Sequence, residues 1–193
     1  MTRRGWLAAL TAAVLVAAAV AVPVALTHGR GPRSNGPLAC PKCFRTGLSF
    51  PVDVQRPFTY GLRNLRNHGR QPAVLEHVRP LGMSPGMRVV GALIVRRVDN
   101  PWNSTADDHT HFPPLNIAKV VKPLPGYAVP PARDEDDVVE LILGLEVSRR
   151  GRFVFRDLEL TYRVGTTRYR ERYPDEVAVC APIKEHRTGC PLP

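Results

Sequence analysis

Four cysteines are the residues of this 193-residue chain best suited to chemistry. Cys40-Pro41-Lys42-Cys43 is a tight pair, while nine residues separate Cys180 from Cys190. An even count in an exported chain predicts two disulfides, and four cysteines allow three pairings among which spacing does not choose. Cross-links from the Cys40/Cys43 pair to Cys180 and Cys190 would staple the two ends of a domain together. Two rival chemistries use the same residues. A zinc site would take all four thiolates, although zinc ribbons use a second tight pair. A dithiol redox role for CPKC needs a helix N-terminus to lower the thiol pKa, and the Pro-rich surroundings offer none.

A second constellation is Asp107-Asp108-His109-Thr110-His111, with His77, Met83 and Met87 upstream. Thioether and imidazole ligands together suit Cu(I). The 21 residues between Met87 and His109 give a spacing similar to that of periplasmic copper chaperones of cupredoxin-like fold. That resemblance implies a copper site built from His77, Met87, His109 and His111, with His111 standing where the family has Met. The competing expectation is a core methionine beside solvated loop histidines.

Arg168, Arg170 and Arg172 form the third feature. Two-residue spacing on a strand puts three guanidinium groups on one face, where they can grip phosphates or carboxylates. Pairing with acidic side chains of a neighbouring strand is the alternative. The run Asp134-Glu135-Asp136-Asp137 has the hard oxygen ligands calcium takes, but no Gly-spaced ligand loop accompanies it. Nothing in the chain forms a Gly-x-Ser-x-Gly elbow, a phosphate-cradling loop or a metalloprotease helix. No catalytic residues are therefore nominated and no cofactor is expected.

The elements that position these residues follow from patterning. Residues 7–26 (LAALTAAVLVAAAVAVPVAL) are free of charge and follow Arg3 and Arg4. As a helix they would span ~30 Å, the thickness of a bilayer's hydrocarbon core. The expectation is a single-pass membrane anchor with residues 1–6 cytoplasmic; the alternative is a signal cleaved near Ala19-Val20-Ala21, with secretion. The start Thr2-Arg3-Arg4-Gly5-Trp6-Leu7 resembles a twin-arginine export signal. In every case the remainder faces outside.

Net charge is +10, and +8 once Arg3 and Arg4 are set aside. Such a surplus suits anionic lipid headgroups, cell-wall polymers or acidic proteins. Nucleic acid is excluded by the compartment and by the lack of an aromatic-basic reading motif. Lysines number only four, and the arginine excess reads as the codon bias of a GC-rich bacterial genome.

Residues 27–57 are rich in Gly, Pro and Arg and read as a stalk carrying CPKC. Residues 58–182 alternate with period two and read as a β-sandwich domain. Strands are expected at Phe58–Leu62, Ala73–Val78 and Met87–Val98, the last central and buried on both faces. Residues 99–137 form a long loop with a short strand around Ile117–Val121. Further strands are expected at Val139–Val147, Phe153–Val164 with a β-bulge at Arg156-Asp157, and Arg168–Cys180. Residues 183–193 form a tail carrying Cys190.

About seven strands with no amphipathic helix in the exported part mean an all-β sandwich. The strand–turn–strand of Phe58–Val78 and the late Gly-Arg-Phe…Tyr-Arg-Val-Gly…Tyr stretch resemble exported immunoglobulin-like β-sandwich domains. The whole resembles uncharacterised membrane-anchored or secreted bacterial proteins with such an ectodomain. That resemblance implies a non-enzymatic interaction or accessory module at the cell envelope. Its partner would be an anionic envelope component or a protein, with extracytoplasmic metal binding as the alternative.

Overall fold

A computed structural model describes residues 31–43, 45–99, 110–186 and 190–191. The expected anchor or signal at 7–26, and His109, lie outside the described residues. Within them no helix is long and apolar enough to cross a membrane.

The described chain is all-β, nine strands in two sheets. One sheet has the order β1 (Thr46–Pro51), β9 (Thr167–Ala181), β8 (Gly151–Val164), β3 (Ala73–Leu81), β6 (Ala128–Val129). The other runs β2 (Phe58–Leu65), β7 (Val139–Val147), β4 (Met87–Arg96), β5 (Lys122–Pro123). Among the described strands β1 pairs with β9 in parallel, and the other pairings are antiparallel.

Alternation along β7, and along β8 on either side of a one-residue bulge at Asp157, brings the inner faces together. Leu141, Leu143, Leu145 and Val147 of β7 and Phe153, Phe155, Leu158, Leu160 and Tyr162 of β8 are all buried in one core cluster. Each such side chain contributes roughly 1.5–3 kcal/mol of transfer free energy. Tyr60 meets Phe155 edge-to-face at 5.3 Å, and Phe50 meets Phe58 likewise at 5.8 Å.

The strand buried on both faces is β7, a correction to the expectation for Met87–Val98. β4 is only half-buried from Val89 to Leu93, because its outer neighbour β5 is two residues long. The outer face of β7 is instead covered by the loop after residue 110, whose Ile117 and Phe112 pack against Ile142 and Val95. Gly91 and Gly144, register partners on β4 and β7, make the slot for Phe112. A Cβ at Gly144 would lie 2.5 Å from that ring, and one at Gly91 2.7 Å.

Three further expectations are revised. Ile117–Val121 forms turns rather than a strand; the short strands of that region are β5 and β6. The stretch read as a stalk is part of the fold from Pro32 onward. Phe50, 8% exposed, turns inward from β1, and Leu38, 2% exposed, plugs the core. The cysteines pair locally, Cys40 with Cys43 and Cys180 with Cys190, which excludes both the end-to-end staple and a four-thiolate zinc site. A turn at Pro41-Lys42 and the return of the tail onto β9 bring the Cα atoms of each pair within 5.3 and 5.5 Å. In the chain-entropy model loops this short contribute about 2 and about 3 kcal/mol. Two disulfides point to an oxidising, extracytoplasmic compartment.

Candidate anion-contact face

The β8–β9 hairpin positions the arginine row. Its strands pair from Gly151↔Ala181 to Val164↔Thr167, and Tyr162, Tyr169 and Tyr173 turn toward the interior. Arg168, Arg170 and Arg172 therefore turn outward, with side chains 57%, 50% and 67% exposed. Strand geometry spaces them by about 7 Å per two residues.

Each meets a carboxylate that a second arginine also holds. Glu76 of β3 lies 2.7 Å from Arg168 Nε and 3.1 Å from Arg163 Nε. Glu159 of β8 lies 2.8 Å from Arg79 Nε and 3.6 Å from Arg170 Nε. Asp157 accepts from Arg172 and lies 3.2 Å from Arg45 Nη2. Three arginine–carboxylate–arginine groups thus stand side by side, each keeping one positive charge in excess. Arg163 and Arg168 are also register partners, a like-charge juxtaposition that the Glu76 carboxylate between them offsets. Arg156 and Glu176, 3.4 Å apart, form a simple pair beside them. An open recess of about 540 Å³ is lined by Arg45, Arg156 and Arg172 together with Asp157 and Glu176.

Asp157 is the bulge residue, at φ 62°, a left-handed conformation that Asp tolerates better than most residues. The bulge turns its carboxylate back under the arginines. Burial pushes Asp157 up, but hydrogen bonds from Arg172 and the Asp175 N–H, with the charges of Arg172 and Arg45, outweigh it and hold the carboxyl below its usual range.

The opposite side of β9 carries a buried polar set. Glu171 accepts from the backbone N–H groups of Asn35 (3.2 Å) and Gly36 (2.6 Å) and from the Tyr162 hydroxyl (3.3 Å). Tyr173 donates to the Leu38 carbonyl at 2.5 Å, and the Leu38 N–H donates to the Tyr162 hydroxyl oxygen at 3.1 Å. These bonds tie residues 33–38 across the sheet edge, where Arg33 also bridges to Tyr169. Further along β9, Asp175 faces Arg63 and Tyr60 of β2.

Of the expected metal ligands, the described His77, Met87 and His111 stand on β3, on β4 and in the loop after residue 110. Met87 is 5% exposed within the core, and His77 stands exposed on β3. His111 has Arg56 3.0 Å from Nε2 and Thr110 2.8 Å from Nδ1. No group of three or more His, Cys, Asp or Glu side chains able to hold a metal ion occurs among the described residues. In the acidic run, Asp134 accepts from the N–H groups of Asp136 and Asp137, while Asp136 and Asp137 pair with Arg97 and Arg96.

Glu76, Asp157, Glu159, Arg45, Arg79 and Arg163 belong to the face but are not nominated by the sequence reading. The outward parity of Glu159 and Arg163 on β8 carries the signal for two of them. Glu76 and Arg45 need the pairing of strands distant in sequence.

No family model and no curated protein matches the chain. Among solved structures it is similar to the VesB protease of Vibrio cholerae, at 6% identity and a TM-score of 0.33, over 71% of this chain and 31% of that one. It is also similar to the ASH/PapD-like domain 7 of human CEP192, at 10% identity and a TM-score of 0.33, over 73% and 84%. At those scores neither assigns a fold or a role.

Proposed function

We infer that this is a non-enzymatic extracytoplasmic interaction module, an immunoglobulin-like sandwich held at the cell envelope by residues 7–26. Its outer β3–β8–β9 face contacts an anionic envelope component. The observation that carries this reading is the row of three carboxylates, each shared by two arginines. A guanidinium has five N–H donors, and one shared carboxylate leaves most of them for an outside anion. The net charge of +10 and the two disulfides support the compartment and the sign of the partner.

The test is co-sedimentation of the exported domain with phosphatidylglycerol vesicles and with acidic wall polymer, across a salt series. Wild type binds at low salt and is released as salt screens the contact. Arg168→Gln/Arg170→Gln/Arg172→Gln should weaken binding about tenfold, about 1.4 kcal/mol. Equal binding by wild type and the triple variant would return these arginines to a purely internal ion-pair lattice.

A further inference from the structure

The two disulfides differ in setting. Cys180 and Cys190 are 2% and 4% exposed and pack with Ala178 and Val154. Cys40 is exposed and Cys43 half-buried, at the ends of a turn whose tip, Pro41-Lys42, is open to solvent. The Cys43 N–H donates to the Cys40 carbonyl at 3.1 Å, which keeps that turn closed on itself.

The attachments of this segment to the domain lie on either side of the ring. Upstream are the backbone pairing of Arg33 with Arg168 and Arg170, the Glu171 bonds to Asn35 and Gly36, and both Leu38 bonds. Downstream, Arg45 holds the Asp175 carbonyl at 3.1 Å and Asp157, and β1 follows. The ring thus bulges from a segment pinned at both ends, and it closes only a four-residue loop. Opening it releases none of those bonds.

We propose that Cys40–Cys43 is a thiol–disulfide exchange site for an extracytoplasmic dithiol protein. It is the disulfide acted upon: the turn has no helix N-terminus of the kind that activates an oxidoreductase's own thiol. The partner's thiolate attacks one Sγ, the Sγ–Sγ bond breaks, and the other cysteine leaves as a thiolate that takes up a proton. The partner's second thiol gives up its proton and attacks the partner's own sulfur in the mixed disulfide; that S–S bond breaks, and this chain's remaining cysteine leaves as a thiolate and takes up a proton. Two electrons pass to this chain, leaving Cys40 and Cys43 as thiols and the partner as its own disulfide. Lys42, within the ring, favours both the approach and the departure of a thiolate.

The experiment incubates the oxidised, exported protein with a thioredoxin whose resolving cysteine is replaced by Ser, and maps adducts by mass spectrometry. In parallel, dithiothreitol is titrated with alkylation of the thiols formed. A mixed disulfide at Cys40 or Cys43 is expected. So is opening of that ring at a dithiothreitol concentration at least tenfold below that for Cys180–Cys190, with an unchanged circular dichroism spectrum. Lys42→Glu should slow adduct formation about threefold or more. No adduct at either cysteine, or simultaneous opening of both disulfides with loss of structure, would overturn the proposal. So would an undiminished adduct yield in Cys40→Ser/Cys43→Ser.

Discussion

Arg63 and Asp175 reach across the two sheets, Nη2 to Oδ1 3.1 Å, with side chains 8% and 0% exposed. Arg63 also donates to the Pro174 carbonyl at 2.8 Å and lies over the Tyr173 ring. Neither Asp175 oxygen, nor the Tyr60 hydroxyl or Arg63 Nε, has a well-aligned hydrogen bond. The pair is electrostatically compensated but incompletely hydrogen-bonded, the condition in which desolvation outweighs attraction. Burial accordingly holds the Asp175 carboxyl above the usual carboxylate range, although Arg63 opposes the shift.

A raised native pKa means the folded protein keeps this proton longer than the unfolded chain. The contribution is present in full below about pH 4 and is lost as pH rises through the raised value. Arg63→Ala removes the opposing cation. It should cost about 3–5 kcal/mol at neutral pH and recover in part as pH is lowered toward 4. Chemical denaturation at several pH values reads this, and a deficit constant with pH would rule it out.

Asp157 has the opposite sign. Its lowered native pKa stabilises the fold above about pH 4, and that contribution disappears as pH falls through the depressed value. Asp157→Asn keeps a residue that tolerates positive φ. It should cost about 2 kcal/mol at neutral pH and flatten the acid limb of the stability curve. An unchanged acid limb would show that Arg45 and Arg172 do not hold the carboxylate charged.

Glu171 is the anchor for residues 33–38. Glu171→Ala should cost about 3 kcal/mol by leaving two backbone N–H groups unpaired, and should speed amide exchange at Gly36 and Leu38. Tyr173→Phe removes only the bond to the Leu38 carbonyl and should cost about 1 kcal/mol. Equal exchange rates in wild type and Glu171→Ala would mean that the segment is held by Leu38 burial alone.

Gly144→Ala should displace Phe112 from its slot and destabilise by about 1–3 kcal/mol, the range for overpacking. Phe112→Ala in the same background tests the cause: if the ring is what the new methyl strikes, the two changes together cost less than their sum. Strict additivity would place the strain elsewhere.

Some of this architecture is legible in the chain. The hydrophobic phase of β8 slips at Arg156-Asp157, and the bulge lies there because Leu158 must return to the core. The arginine row follows from parity on β9, and its pairing with carboxylates on neighbouring strands was the alternative that parity left open. Asp157 joins the face only because the bulge redirects it. β1 has just Leu48 and Phe50 to mark it, too short an alternation to stand out among prolines and glycines. The double burial of β7 depends on a loop that docks through two glycines, which periodicity treats as neutral. The pairing of Cys180 with Cys190 is set by where the tail returns, a property of the assembled sheet, while that of Cys40 with Cys43 follows from a local turn.

The contact between Tyr173 and Leu38 joins residues 135 apart in sequence. β9 also supplies the pairing surface for β1 and the inner half of the Arg63–Asp175 pair. A chain delivered N-terminus first therefore leaves its early segments waiting, unpaired, for the last strand to arrive. Its folding barrier carries the closure of nearly the whole domain as one loop, which makes assembly slow and leaves strand edges open to other chains meanwhile.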